Sequence, residues 1–222
     1  MVLSQSEILK NQETFTNLLL STNRPGITDL LGWLETSTDF FRAPSSTNHH
    51  GNFDGGLCQH SLNVYKALKK LIEMDNELAL SEKHISDITE DTIIIISLLH
   101  DLCKVNFYKK DVKMWKDETA PYGSQWKSYY GYVCDDKYPL GHGEKSVIIL
   151  QNFIKVAPVE AMAIRWHMGM TDPGIYLSPY TKSAMNVSCN DVPIVVLLQQ
   201  ADYMASFLME KEADLKIDNA IN

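Results

Sequence analysis

Six side chains able to ligate a metal ion are spread along the chain: His60, His100, Asp101, His142, His167 and Asp202. They lie in LCQHSLNVY, SLLHDL, LGHGEKSVIIL, AIRWHMG and LLQQADYMA, so five separate segments each turn a ligand-type side chain toward apolar surroundings. Taken singly, a histidine in an apolar helix is more often a hydrogen-bonded core residue than a ligand. The adjacent pair His100-Asp101 resists that reading, because a buried carboxylate without a partner costs several kcal/mol. A carboxylate has two oxygens and can bridge two ions, which makes Asp101 the natural hub. Imidazole and carboxylate together suit Mn, Fe, Co, Ni or Zn better than Ca, which favours oxygen alone. Neighbouring side chains on a helix diverge by about 100°, so His100 and Asp101 reach one ion only if it sits off the helix flank.

Most of the elements that must hold these residues read as helices. SQSEILKNQETFTNLLL puts Ile8, Phe15, Leu18 and Leu19 on one stripe, closed by Pro25, and GITDLLGWLETSTDFF follows as a second helix. RAPSSTNHHGNFDGG reads as an ordered loop, and a third helix is expected from about Leu57 to Met74. The run Ile93 to Leu99 is apolar on all sides and belongs at the centre. Its β-branched residues also fit a buried strand, but the polar lead-in SDITEDT, with Ser86 or Asp87 as cap, and the continuation through HDLCK favour helix. Between Tyr108 and Tyr138, aromatic and polar residues alternate around Pro121-Tyr122-Gly123, the pattern of a β-hairpin. Helices resume at GEKSVIILQNFIKV, PVEAMAIRWH and DVPIVVLLQQADYMASFLME. The reading is a single all-α domain over residues 1–222, with N-terminal helices at 1–39, a core at 40–210 and a small inserted β-hairpin at 108–138.

Composition narrows the function. A formal charge of -8 argues against a track for duplex nucleic acid, while leaving room for a small phosphorylated substrate beside a metal. The four cysteines have no CxxC spacing, so neither a disulfide framework nor a zinc ribbon is expected. MVLSQSEILKNQETF lacks the basic and apolar pattern of a signal peptide, and the longest apolar run falls far short of the roughly 20 residues that span a bilayer. The expectation is a cytoplasmic protein with no membrane partner; oligomeric state is not legible.

The ordered set His60, His100-Asp101 and Asp202 resembles the H…HD…D pattern of the HD-domain metal-dependent phosphohydrolases. His142 and His167, between HD and the last Asp, resemble the binuclear branch of that superfamily. FFRAPSSTNHHGNFDGGLCQHSLNV and SLLHDLCKV are similar to HD modules of bacterial exoribonuclease-like and prophage-type proteins, and the likeness runs from about Phe40 to Leu208. The resemblance implies the HD helical fold and two divalent transition-metal ions: one held by His60, His100, Asp101 and Asp202, the other by Asp101, His142 and His167. It implies Asp101 and His100 as catalytic, and Lys104 as the lysine that steadies a substrate phosphate. It also implies hydrolysis of a nucleotide or short single-stranded oligonucleotide phosphodiester by a metal-activated water. Nucleoside mono- or triphosphate hydrolysis, a non-catalytic nucleotide-binding regulatory module and a di-iron oxygenase are the alternatives. Cys103 stands where many relatives carry glycine. Met168 stands where the cyclic-dinucleotide branch has a second histidine, which argues against that substrate, and no OB-type domain is expected before the HD region, which argues against processive RNA degradation.

Other residues have two readings. His50 and Arg165 are candidates for substrate binding, the first also as a loop-ordering residue and the second as a solvated surface charge. His49 is expected to order its loop, His84 to be exposed, and Gly55 and Gly56 to permit a tight start to the third helix. The hairpin ends flank Asp101 and His142, so it should hang over or beside the site. Trp115, Trp126, Tyr129, Tyr130 and Tyr132 could then stack a base or simply pack the hairpin onto the helices.

Overall fold

The run Ile93–Leu99 folds as helix and is buried along its whole length. In the computed structural model, which describes residues 2–78, 88–121, 123–210, 213 and 215–221, it forms most of α4 (Glu90–Leu99). Thr89 caps α4 by accepting a hydrogen bond from the Thr92 amide; the expected caps Ser86 and Asp87, and His84, lie outside the described residues. The helix does not continue through HDLCK. His100 is its C-cap, Asp101 leaves helical geometry at φ -100° and ψ 22°, and Leu102–Lys104 form a short 3₁₀ turn.

Two N-terminal helices, α1 (Gln5–Ser21) and α2 (Ile27–Thr36), precede the long α3 (Gly56–Leu78). Ser4 and Glu7 start α1 with a reciprocal capping box. Gly55 has φ +83°, and a Cβ on Gly56 would come 2.0 Å from the Gly51 carbonyl oxygen, so this glycine pair is what lets α3 start against its own loop. After α4 comes a hairpin of β1 (Tyr108–Asp117) and β2 (Gln125–Cys134), antiparallel with Tyr108 opposite Cys134. The helices α5 (His142–Gln151), α6 (Pro158–Arg165), α7 (Gly174–Leu177), α8 (Pro179–Asp191) and α9 (Pro193–Met204) follow. A π-helical turn, Ala205–Met209, continues α9; the chain then passes through α10 (Leu215–Asp218) to β3 (Ala220–Ile221), which adds a third strand beside β2. The fold is all-α with this small sheet, and no single helix among the described residues is long and apolar enough to cross a membrane.

The core is the set of faces α3, α4 and α9 turn to one another, joined by α1 and α6. Ile95, Ile96, Leu98, Leu99, Leu57, Leu68 and Leu198 are all fully buried there. Each such side chain contributes roughly 1.5–3 kcal/mol of burial. A buried polar tie crosses the core. Glu160 on α6 receives the guanidinium of Arg24, the Thr92 hydroxyl at 3.2 Å and the Ala157 amide at 2.8 Å. The hairpin packs elsewhere: Tyr129 and Tyr132 are buried with Phe53, Ala213 and Leu215, and Trp115 and Tyr108 lean on that second cluster.

Candidate metal centre

His60 projects from α3, His100 and Asp101 from the end of α4, His167 from the turn after α6, and Asp202 from α9. The break after Leu99 solves the problem of adjacent side chains. Because the helix stops at His100, the two residues no longer diverge, and His100 Nε2 lies 3.5 Å from Asp101 Oδ2. His60 Nε2 is 3.3 Å from His100 Nε2, 3.2 Å from Asp202 Oδ1 and 3.6 Å from Asp101 Oδ2. His167 Nε2 is 3.5 Å from Asp101 Oδ1. With metal–nitrogen and metal–oxygen bonds of about 2.0–2.2 Å, two donors sharing an ion sit roughly 3.0–3.6 Å apart. His60, His100 and Asp202 form one group whose ligand atoms lie within 4.8 Å of one another, and His100, Asp101 and His167 form a second.

The tautomers are set for ligation. His100 Nδ1 donates to the Ser97 carbonyl at 2.9 Å, and His167 Nδ1 donates to the Ile164 carbonyl at 2.7 Å. His60 Nδ1 faces Glu210 Oε1 at 3.0 Å, and Asn63 donates to the same oxygen at 3.2 Å. Each imidazole is thereby anchored at one nitrogen and turns the other toward the neighbouring donor atoms, the pattern of hydrogen bonding that holds metal-bound histidine. His167 Nε2 is buried and makes no hydrogen bond, and the His60 and His100 Nε2 atoms face each other with the Asp101 and Asp202 carboxylates beside them. These buried groups can bind a metal ion, and the donor set fits a divalent transition metal.

Charge tells the same story. Burial opposes the charge on His60, but the Glu210 and Asp202 carboxylates outweigh it and raise its pKa to about 10. Asp101, despite full burial, is held well below the usual carboxylate range by Lys104 and His100; its Oδ2 accepts from Lys104 Nζ at 2.6 Å. Burial likewise opposes ionisation of Asp202, which His60 holds low.

His142, the first residue of α5, is at the edge. Its Nδ1 lies 3.4 Å from Cys103 Sγ, which in turn lies 3.9 Å from Asp101 Oδ1, and it is absent from the mutually close groups. A Cβ on Gly143 would come 2.2 Å from the Arg165 carbonyl oxygen, so the GHG sequence lets α5 press against the end of α6 and bring His142 near His167. Lys104 and His50 line the site cavity of about 400 Å³ together with Asp101, His167 and Asp202. His50 Nε2 meets the Ser206 hydroxyl at 3.2 Å, and burial, with His60 beside it, lowers its pKa to about 4, so it is a neutral hydrogen-bonding group.

Arg165 and the hairpin aromatics, each given two readings, are not among the described residues that line the cavity. Arg165 does not reach the cavity: Glu144 at 2.5 Å and Asp172 at 2.6 Å take its guanidinium, which lies over the Trp166 ring. Among the described residues no hairpin aromatic lines the cavity either: Tyr129 and Tyr132 are drawn into the cluster with Phe53 and Leu215, while Trp126 and Tyr130 face outward. Sequence reasoning missed Glu210, Ser206 and the thiol of Cys103. Asp202, Ser206 and Glu210 recur every four residues inside the expected last helix, a one-face spacing that could have found them.

No protein-family model matches the chain, and no solved structure matches it. Among curated proteins it is similar to the dihydroneopterin 2',3'-cyclic phosphate phosphodiesterase of Methanocaldococcus jannaschii, at 29% identity over 107 residues. That match covers 48% of this chain and 41% of the relative, so less than half of the relative's length is represented.

Proposed function

We propose that this chain is a metal-dependent phosphohydrolase of the HD type, with residues 40–210 as its HD core, and that it cleaves a phosphodiester on a small nucleotide-like molecule. The observation that carries this is the convergence of three anchored imidazoles on Asp101 and Asp202, with His167 Nε2 buried and without a hydrogen-bond partner. The similarity to a cyclic phosphate phosphodiesterase supports a phosphodiester as the bond attacked.

His60, His100, Asp101 and Asp202 would hold one ion, and Asp101 with His167, joined by His142 from the edge, a second. Divalent ions held there supply Lewis acidity, bringing the pKa of a water toward neutrality and offsetting negative charge on phosphoryl oxygens. Glu210 fixes the His60 ring, and Ser97 and Ile164 fix His100 and His167, so the donors need not reorganise. Lys104, beside Asp101 on the cavity wall, offers an ammonium to a non-bridging phosphate oxygen while keeping Asp101 ionised. His50, neutral and tied to Ser206, offers a hydrogen bond without charge. Attack of water on phosphorus breaks one P–O ester bond, and the released oxygen leaves as an alcohol after taking up a proton.

The test is to strip the purified protein with a chelator and reconstitute it with Mn, Fe, Co, Ni or Zn. It is then assayed against nucleoside 2',3'-cyclic phosphates, linear dinucleotides and bis-p-nitrophenyl phosphate. The reading expects phosphodiester cleavage that disappears on stripping and returns with an ion. Stoichiometric metal with no turnover of any of these compounds would leave a binding module instead.

A further inference from the structure

Immediately beyond the metal centre, α9 and its π-helical turn carry two aromatic side chains that packing does not explain. Tyr203 and Phe207 stack on each other with centroids 4.4 Å apart and planes 30° from parallel. Their i,i+4 spacing accounts for that mutual contact. It does not account for their exposure, 59% for Tyr203 and 67% for Phe207, in a chain whose other helix-borne phenylalanine, Phe15, is fully buried. Both line the cavity that holds Asp101, His167 and Asp202. Tyr203 follows Asp202 directly, and Phe207 lies roughly 6 Å further along the helix axis at about 1.5 Å per residue. A phosphoryl group among the ligands thus has an aromatic surface within the reach of one sugar ring. Met168 and Met170 line the same cavity, and thioether sulfur makes favourable contacts with aromatic faces.

We propose that Tyr203 and Phe207 form the stacking platform of this site, selecting phosphoesters whose leaving or retained alcohol carries a planar heteroaromatic ring. The inference rests on the phosphohydrolase reading for the position of the phosphate, while the platform is a separate property of α9. The metal ligands grip phosphate and are blind to what it is attached to, so ring selection must come from another wall. Stacking is tolerant of ring identity, because each flat heterocycle has a π face. The site would therefore separate ring-bearing from ring-less phosphoesters more sharply than one base from another.

The experiment compares metal-loaded wild-type protein with the double variant Tyr203→Ala/Phe207→Ala. For each, kcat/KM is measured on adenosine 2',3'-cyclic phosphate and on glycerol 1,2-cyclic phosphate, and their ratio is the readout. The platform predicts that the ratio falls about 10-fold or more in the double variant, mainly through KM, with metal content equal to wild type. Tyr203→Phe should keep the wild-type ratio. A ratio unchanged in the double variant, in a protein that still turns over both compounds, overturns the platform and leaves the hydrolase standing. Calorimetry with adenosine 2'-phosphate, against inorganic phosphate, needs no turnover. Binding that depends on both rings in a protein without hydrolysis keeps the platform and removes the hydrolase; adenosine 2'-phosphate bound no better than inorganic phosphate overturns the platform.

Discussion

Asp101 is where the contacts of the site meet: Lys104, His60, His100, His167 and Cys103 all approach its two oxygens. Asp101→Asn keeps the volume and removes the charge, and we expect it to lose bound metal and more than about 100-fold in activity, beyond the 10–100-fold typical of outer-shell changes. Glu210→Gln is such an outer-shell change. It leaves every expected ligand in place but loosens His60, so metal affinity in a chelator-competition titration should fall about 10–100-fold. An unaltered affinity would mean that Glu210 only balances charge. Lys104→Ala should retain its ions by elemental analysis and raise KM. Loss of metal in that variant would show Lys104 to be part of the ligand scaffold.

The α4 break is the element-level device on which the site depends, and it shows what a sequence can and cannot disclose. The apolar run from Ile93 marked a central helix because nothing polar offered it a solvent face. The stop at His100 was hidden: just beyond it the Cys103 amide donates to the Ser146 hydroxyl of α5 at 3.0 Å, a contact 43 residues away that local pattern does not show. The ligand-type residues were legible from their types and apolar settings, and the structure gathers five of the six. His142 at the edge, the commitment of Arg165 to Glu144 and Asp172, and the packing of Tyr129 and Tyr132 with Phe53 and Leu215 all depend on long-range packing that local pattern does not carry. Shortening the hairpin tip within residues 116–126 should therefore leave the ranking of substrates unchanged, since the cavity lining is untouched. A changed ranking would place the tip over the site. The Arg24–Glu160 tie makes a stability prediction. Arg24→Ala strands a carboxylate with no exposed side-chain surface, and urea denaturation should show a loss of about 3–5 kcal/mol.

For the whole molecule, the site is a charge problem that folding leaves to be balanced. His60 carries its proton up to a pKa of about 10 in the metal-free protein, so its contribution to stability is complete below its ordinary 6.5 and is lost as pH rises through about 10. An ion must displace that proton, so metal affinity should rise with pH across the same window. The increase in Tm on adding Mn should accordingly be larger near pH 9 than near pH 6, and a pH-independent increase would mean that the ion binds without touching His60. The most direct measurement of the central claim is anomalous diffraction at the absorption edge of the added metal, from crystals of the reconstituted protein. An anomalous peak is expected among His60 Nε2, His100 Nε2, Asp101 and Asp202, with a second between Asp101 and His167. No peak among these side chains, with His60 and His100 Nε2 still at hydrogen-bonding distance, would contradict it.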